Sequence, residues 1–196
     1  MDKQLLLGTR NLARIQMVRR ILEKTDVLVY TLDELGIDHE VEEDGTSTEM
    51  NARKKAQQYY AVSKIPTLAM DGGLHIDRLP AGLQPGLLVK RLPGISSPTD
   101  QDILAYYIKL LEDVGGTSPG TWTGSHVLCF SAERVIVYNF TFTVMFTKDP
   151  FGDPLPGRAL DSIMIDPQRG KYYTELAFED LPYYALTREF ILDNIQ

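Results

Sequence analysis

Two acidic residues occur where they could bind a cation or activate water. Glu43 is part of an acidic, turn-prone loop at residues 39–45, and Asp71 follows a short apolar run, at the predicted end of a buried strand. Hard divalent cations such as Mg²⁺ prefer carboxylate oxygens and take one or two of them together with phosphate oxygens. The pair is therefore a candidate metal site, although each residue alone is also explained as a solvated loop acid or an Asp-Gly turn.

A second group of polar residues occupies the turn Thr9–Arg14, between an apolar run and an amphipathic helix. A turn that follows a strand and opens a helix presents backbone N–H groups to an anion. Asn11 can cap this helix. Arg14 follows about one turn later, where its guanidinium could contact the same anion. Such a junction is usually structural when it occurs alone, so it indicates phosphate binding only in combination with other motifs.

The elements that must position these residues alternate between strands and helices. Short apolar runs predict the strands, and apolar residues at helical spacing predict the helices. The opening order β-α-β favours an α/β class. Strands are predicted at residues 4–9, 27–30, 67–70, 122–131, 134–148 and 162–165, and helices after Asn11, from residue 47 or 48 to about 60, and at 100–114 and 186–195.

Composition and charge limit the classes of function. A chain of 196 residues predicts one domain, residues 1–196. The net charge of -7 argues against nucleic-acid binding, which needs a basic face. The single cysteine, Cys129, fits a reducing compartment. No run is long enough to cross a bilayer and the first residues lack the pattern of a signal peptide, so we expect a cytoplasmic protein without a membrane partner.

In combination, the motifs resemble those of the inosine triphosphate pyrophosphatase family, which clears non-standard purine nucleotides. That family has T-x-N-x-x-K after its first strand, N-A-x-x-K-A on a helix, a strand that ends in D-D-S-G-L, and a P-G-x-x-S-A-R segment. Order and spacing agree with this pattern over roughly residues 4–94. The matching stretches are Thr9–Arg14, Asn51–Ala56, Met70–Leu74 and Pro85–Arg91.

The resemblance implies a fold, a reaction and a site. The fold would be a mixed, elongated and twisted sheet flanked by helices, in two lobes with a central cleft, commonly as a homodimer to which residues 80–98 could contribute. The reaction would be the Mg²⁺-dependent hydrolysis of ITP, dITP or XTP to the nucleoside monophosphate and pyrophosphate. Asp71 would be catalytic and would bind the metal together with Glu43. The substrate would contact Thr9, Asn11, Arg14, Lys55, Gly72, Arg91, Asp161 and Arg188.

The first half of the chain departs from the family pattern at several matched positions, which include Arg14, Met70 and Gly72. Arg14 replaces the first lysine, which keeps the charge but changes its geometry. Met70 replaces the first aspartate of the pair, and Gly72 replaces the serine. One carboxylate and one hydroxyl of the family site are therefore missing.

The second half departs further, in the segments that recognise the base. Alignment on residues 174–176 places Arg158–Ser162 at the family's F-G-Y-D-P stretch, where Asp161 alone is kept, and Phe151–Pro154 is a second candidate for that stretch. The family's S-H-R stretch keeps at most Arg188. Losing polar groups that read a base should relax or redirect specificity. Two alternatives therefore stay open: a protein of the same fold that binds a nucleotide without cleaving it, and an enzyme for another modified nucleotide.

Overall fold

The computed structural model describes residues 3–195 and contains one mixed sheet of seven strands in the order β2-β1-β3-β4-β5-β6-β7. The strands are β1 (Lys3–Leu7), β2 (Val27–Thr31), β3 (Thr67–Ile76), β4 (Thr117–Cys129), β5 (Val135–Thr147), β6 (Met164–Asp166) and β7 (Lys171–Tyr172). The α-helices are α1 (Leu12–Leu22), α2 (Thr48–Ser63), α3 (Asp100–Asp113) and α4 (Pro182–Asn194). The predicted α/β class, a mixed sheet flanked by helices, is confirmed.

The first three strands form the parallel part of the sheet. Strand β1 pairs in parallel with β2 on one side and with β3 on the other. Helix α1, which connects β1 to β2, begins where the sequence predicts, because the Asn11 side chain accepts a hydrogen bond from the backbone N–H of Arg14 at 3.2 Å. The predicted β-α-β opening is thereby confirmed.

Strand β3 is longer than the sequence predicts. The stretch Asp71-Gly72-Gly73 lies inside the strand, so the prediction that the strand stops there is wrong. Gly73 explains the difference, because a Cβ at this position would lie 3.1 Å from the backbone oxygen of Gly86. That oxygen accepts a 2.9 Å hydrogen bond from the Leu74 N–H. The glycine thus lets a loop backbone approach and pair with the strand.

Strand β4 also differs from its prediction at its start. It begins at Thr117, five residues before the predicted start at residue 122. The predicted hairpin between β4 and β5 is present, and the Phe130 N–H donates to the Arg134 carbonyl across its turn at 2.9 Å. The predicted strand at 162–165 instead spans Met164–Asp166, because Asp161–Ile163 forms a short 3-10 helix.

The chain folds into two compact units, and strands β3, β4 and β5 contribute residues to both. The first unit comprises the chain up to Gly72, Gly124–Phe140 and the chain from Tyr184 onward. The second comprises Gly73–Thr123 and Thr141–Tyr183. The prediction of a single domain stays a prediction.

Helix α2 packs closely on the sheet of the first unit because its inner face carries small residues. Ala52 and Ala56 form a buried cluster with Ala69 on β3 and with Val127 and Cys129 on β4. Alanines permit a short distance between a helix and a sheet. This packing fixes the other residues of α2 relative to β3.

No helix among residues 3–195 is long and apolar enough to cross a membrane.

In the proline- and glycine-rich segment 80–98, the sequence predicts packed apolar residues at 87–89, but the side chain of Leu88 is 50% exposed. Leu92 is the buried leucine of this segment.

Candidate active site

Asp71 is a buried carboxylate on β3, beyond the point where its parallel neighbour β1 ends at Leu7. Its Oδ1 accepts a hydrogen bond from Lys55 Nζ at 3.3 Å, and its Oδ2 accepts one from Asn51 Nδ2 at 3.2 Å. Both donors belong to α2, where they are four residues apart and therefore share one face of the helix. Helix α2 thus supplies a cation and an amide to the Asp71 carboxylate.

Glu43 approaches the same lysine from the acidic loop. Its Oε1 lies 2.6 Å from Lys55 Nζ, and its side chain is 38% exposed. Because the oxygens of Glu43 and Asp71 contact one nitrogen, they cannot be farther apart than the sum of those two contact distances. The two acids that the sequence proposes as metal ligands are therefore brought together by the fold.

The acidic loop is held in place by α2. Asn51 accepts a 2.8 Å hydrogen bond at its Oδ1 from the backbone N–H of Gly45, while its Nδ2 contacts Asp71. Lys54 pairs with Asp44 at 2.7 Å on the exposed side of the loop. The side-chain amide of Asn51 therefore connects the loop that carries Glu43 to the strand that carries Asp71.

Arg14 supplies a second cation from α1. Its Nη1 donates a 2.7 Å hydrogen bond to the backbone carbonyl of Met70, which also accepts from Lys55 Nζ at 3.0 Å. Burial lowers the pKa of the Arg14 guanidinium, and the charges of Asp71 and Glu43 act in the opposite direction. Arg14 and Lys55 therefore lie beside the two carboxylates on two different helices.

Thr9, Asn11 and Gly72 lie next to these charged residues. Thr9 Oγ1 accepts the backbone N–H of Asn11 at 3.1 Å, and Asn11 caps α1, so both side chains shape the turn that leads to Arg14. Gly72 follows Asp71 directly within β3. The turn and the helix start are of the kind that binds phosphate groups through backbone N–H donors.

The other three predicted substrate residues lie elsewhere. Arg91 is an exposed residue of the second unit. Asp161, also in the second unit, is buried and accepts a 2.7 Å hydrogen bond from Arg158 Nε, and burial raises its pKa to about 6 against the opposing effect of Arg158. Arg188 is exposed on α4 of the first unit, whereas its neighbour Thr187 is buried.

Sequence analysis did not single out His126, a buried histidine on β4 of the first unit. Its Nε2 lies 2.7 Å from Thr187 Oγ1, and its ring lies edge-on to that of Phe140 with centroids 4.8 Å apart. Burial lowers its pKa to about 3, and the charge of Arg14 adds to this effect. His126 could have been identified from the sequence as a polar residue within a predicted apolar strand.

The donor set fits a hard divalent cation that is shared with a substrate. Two carboxylates converge on one point, and Mg²⁺ usually takes one or two protein carboxylates plus phosphate oxygens. Among residues 3–195 no group of three or more His, Cys, Asp or Glu side chains could hold a metal by itself. Two carboxylates, two adjacent cations and a strand–turn–helix junction together suit a phosphorylated ligand.

The family follows from comparison with known proteins. The model of the Ham1 family matches residues 5–180, so the chain belongs to the Ham1 family and the predicted family relationship is confirmed. A dITP/XTP pyrophosphatase of Leptospira interrogans is 27% identical over 174 residues, which cover 79% of this chain and 85% of the relative. One of Xanthomonas campestris is 37% identical over 110 residues, or 56% of this chain and 52% of that relative.

Solved structures show the same fold. The HAM1 protein of Coxiella burnetii superposes with a TM-score of 0.78 at 19% identity, over 96% of both chains. The Ham1 protein of Staphylococcus aureus gives a TM-score of 0.75 at 20% identity, over 97% of this chain and 99% of the other.

Proposed function

We propose that this chain is a divalent-metal-dependent nucleoside-triphosphate pyrophosphatase that hydrolyses non-standard purine nucleotides such as dITP and XTP. The products would be the nucleoside monophosphate and pyrophosphate. The observation that carries the proposal is the convergence of Glu43 and Asp71 on one lysine nitrogen, with Arg14 beside them. The names of the relatives in Leptospira and Xanthomonas support the choice of substrate.

The residues of the cluster would have different roles in the reaction. Asp71 is held in place by Asn51 and would orient and deprotonate the attacking water. Arg14 and Lys55 would offset the negative charge that develops on the phosphate oxygens as the bond to pyrophosphate breaks. The turn after β1 and the start of α1 would contact the triphosphate through backbone N–H groups other than that of Asn11, which donates to Thr9.

Glu43 and Asp71 are the residues that would hold the metal, which we propose to be Mg²⁺. A bound divalent ion would polarise the phosphate and neutralise part of its charge. Because two protein carboxylates leave most of the octahedral shell of Mg²⁺ to other oxygens, phosphate oxygens and water would complete it.

Substitution of Asp71 tests the proposal. Asp71→Asn keeps the size of the side chain but removes the charge and the basic oxygen, and we expect pyrophosphate release from dITP or XTP with Mg²⁺ to fall by at least about 10³-fold. Asp77→Asn, a change of the same kind at a half-exposed residue, is the matched control and should retain wild-type turnover. Equal turnover by wild type and Asp71→Asn, with both chains folded by circular dichroism, would refute the assignment.

Nucleotide binding without hydrolysis is a second candidate function. It is favoured by Met70, whose side chain is 2% exposed and occupies the position of the family's first aspartate, so that the site has one acid fewer. A panel of purine, pyrimidine and damaged nucleotides with Mg²⁺ or Mn²⁺ distinguishes the candidates. Nucleotide binding without pyrophosphate release from any nucleotide would favour this second function. Pyrophosphate release from a pyrimidine nucleotide alone would mean that the enzyme acts on pyrimidine and not on purine nucleotides.

We also propose that the chain acts as a homodimer in the cytoplasm. Residues 80–98 carry three large apolar side chains that are exposed by 43 to 50%, namely Leu83, Leu88 and Ile95, and covering them in an interface would be favourable. The mass of the purified chain in solution, measured by light scattering, tests the dimer, and a monomeric mass at micromolar concentration would refute it.

A further inference from the structure

Lys55 occupies the position between the two candidate metal ligands. Its Nζ lies 2.6 Å from Glu43 and 3.3 Å from Asp71, and its side chain is only 8% exposed. A divalent cation that binds both carboxylates needs the same oxygens that the ammonium group contacts. Lysine and metal therefore compete for these oxygens.

The charges of the cluster make this competition effective. Within the cluster, Glu43 and Asp71 carry two negative charges, and Lys55 and Arg14 carry two positive charges. These four side chains together therefore present no net negative charge to a free divalent ion. Because the region of the chain that the structure describes also offers no third acid for a self-contained metal site, the carboxylates alone should bind metal weakly.

The contacts of Lys55 also show that its ammonium group can move away from the carboxylates with only a small loss of free energy. Its backbone acceptor, the Met70 carbonyl, keeps a second donor in Arg14 at 2.7 Å. The Asp71 carboxylate keeps Asn51 as a donor to its other oxygen. Buried polar groups that lose a partner are costly only when nothing replaces it. Met70 and Asp71 each retain a donor, and Glu43 is 38% exposed, so water can replace the ammonium group there.

We propose that the Lys55 ammonium group occupies the place of the metal in the free protein. A bound triphosphate then attracts this group to its phosphate oxygens, which makes the oxygens of Glu43 and Asp71 available to the metal. Metal without nucleotide is therefore excluded, and the metal and the nucleotide bind cooperatively, as a metal–nucleotide complex. This inference rests on the proposed function, because it assigns the triphosphate as the anion that attracts Lys55. The coupling is reciprocal, so metal should tighten nucleotide binding by the same factor.

Calorimetric titration of the purified full chain with Mn²⁺ tests the proposal. We expect Mn²⁺ alone to bind the wild-type chain at least tenfold more weakly than Mn²⁺ in the presence of a non-hydrolysable α,β-methylene purine triphosphate. Lys55→Met should bind Mn²⁺ alone at least tenfold more tightly than wild type, because it leaves the cluster with a net negative charge and frees the oxygens that the ammonium group contacts. In this variant the triphosphate should strengthen Mn²⁺ binding by a smaller factor than in the wild type, because its phosphate oxygens still ligate the metal but no ammonium group has to leave the carboxylates.

Lys109→Met is the matched control, since Lys109 is an exposed lysine of α3 in the second unit, outside the cluster. It should bind Mn²⁺ as the wild type does. Lys55→Gln repeats the test with a polar side chain in case Lys55→Met unfolds, and addition of Glu43→Gln to either variant should abolish the gained Mn²⁺ affinity.

Equal Mn²⁺ affinity of wild type and both Lys55 variants would overturn the inference, and pyrophosphate release by the wild type would then show that the proposed function survives. A tenfold gain without pyrophosphate release from any nucleotide would support the competition while the proposed function fails. Triphosphate binding that leaves the Mn²⁺ affinity of the wild type unchanged would overturn the coupling.

Discussion

At the scale of single residues, Asn51 is the residue that no other side chain of similar size can replace. Its carbonyl oxygen accepts from the Gly45 N–H and its amide nitrogen donates to Asp71, so it must offer an acceptor and a donor at once. Aspartate would keep the acceptor but place a third carboxylate beside Asp71. Alanine would keep neither interaction.

We expect Asn51→Ala to reduce pyrophosphate release by at least about tenfold, because small misplacements of catalytic groups are costly. The loss of a buried hydrogen-bonding partner should lower the free energy of unfolding by about 1–3 kcal/mol. Turnover and urea denaturation measure the two effects. Gln58→Ala, at an exposed position of the same helix, controls for the loss of an amide and should change neither quantity. Wild-type turnover of Asn51→Ala would remove Asn51 from the site.

Asn51 also marks the limit of what the sequence could predict about the site. Glu43, Asp71, Arg14 and Lys55 were proposed from motif order, and the fold brings the four together. Asn51 stands in the same motif as Lys55, yet its type gives no sign of a buried role. Its separation of four residues from Lys55 was the usable signal, because it places both on one helix face.

At the scale of elements, the acidic loop depends on the absence of a side chain at Gly45. A Cβ there would lie 2.6 Å from Asn51 Oδ1 and 2.8 Å from the Cβ of Met50. Since the Cβ of Met50 is fixed by the backbone of α2, the loop would have to move. Glu43 lies two residues earlier in that loop and would move with it.

We therefore expect Gly45→Ala to weaken metal–nucleotide binding and to lower turnover by about tenfold while the chain remains folded. The Michaelis constant for the metal–nucleotide complex and the thermal midpoint are the measurements. Gly82→Ala is the control, because a Cβ at Gly82 meets no atom within 4 Å, and its effect on stability should stay within about 0.5 kcal/mol. Identical kinetics for Gly45→Ala and Gly82→Ala would contradict the dependence of Glu43 on this loop.

Elements with local signals were predictable, and those set by distant contacts were not. Asn11 caps α1 as the sequence predicts, and α2 begins at Thr48, within the predicted start at residue 47 or 48, since a cap acts within its own helix turn. Strand β3 was predicted too short because Asp-Gly is a common turn dipeptide. Its continuation through Gly73 depends on the backbone of Gly86, which no local pattern reveals.

At the scale of the whole molecule, two buried titratable groups oppose each other in the response to acid. Burial raises the pKa of Asp161 to about 6, so between that value and its ordinary pKa the folded chain takes up a proton before the unfolded chain does. This uptake stabilises the folded chain as the pH falls. Burial lowers the pKa of His126 to about 3, and the sign there is reversed.

The His126 contribution can be isolated by mutation. Above about pH 6.5 the imidazole is neutral in the folded and in the unfolded chain. Below this pH the unfolded chain binds a proton that the folded chain does not bind. The free energy of unfolding therefore decreases as the pH is lowered. For this group the loss between pH 7.5 and 5.5 amounts to about 1.4 kcal/mol. His126→Gln can still bond to Thr187 but does not titrate, and its acid-induced loss of stability should be smaller by that amount. His75→Gln, at an exposed residue, should follow the wild type. Parallel urea-denaturation curves of His126→Gln and wild type across this pH range would mean that His126 becomes protonated in the folded chain, and its burial would then not control the response to acid.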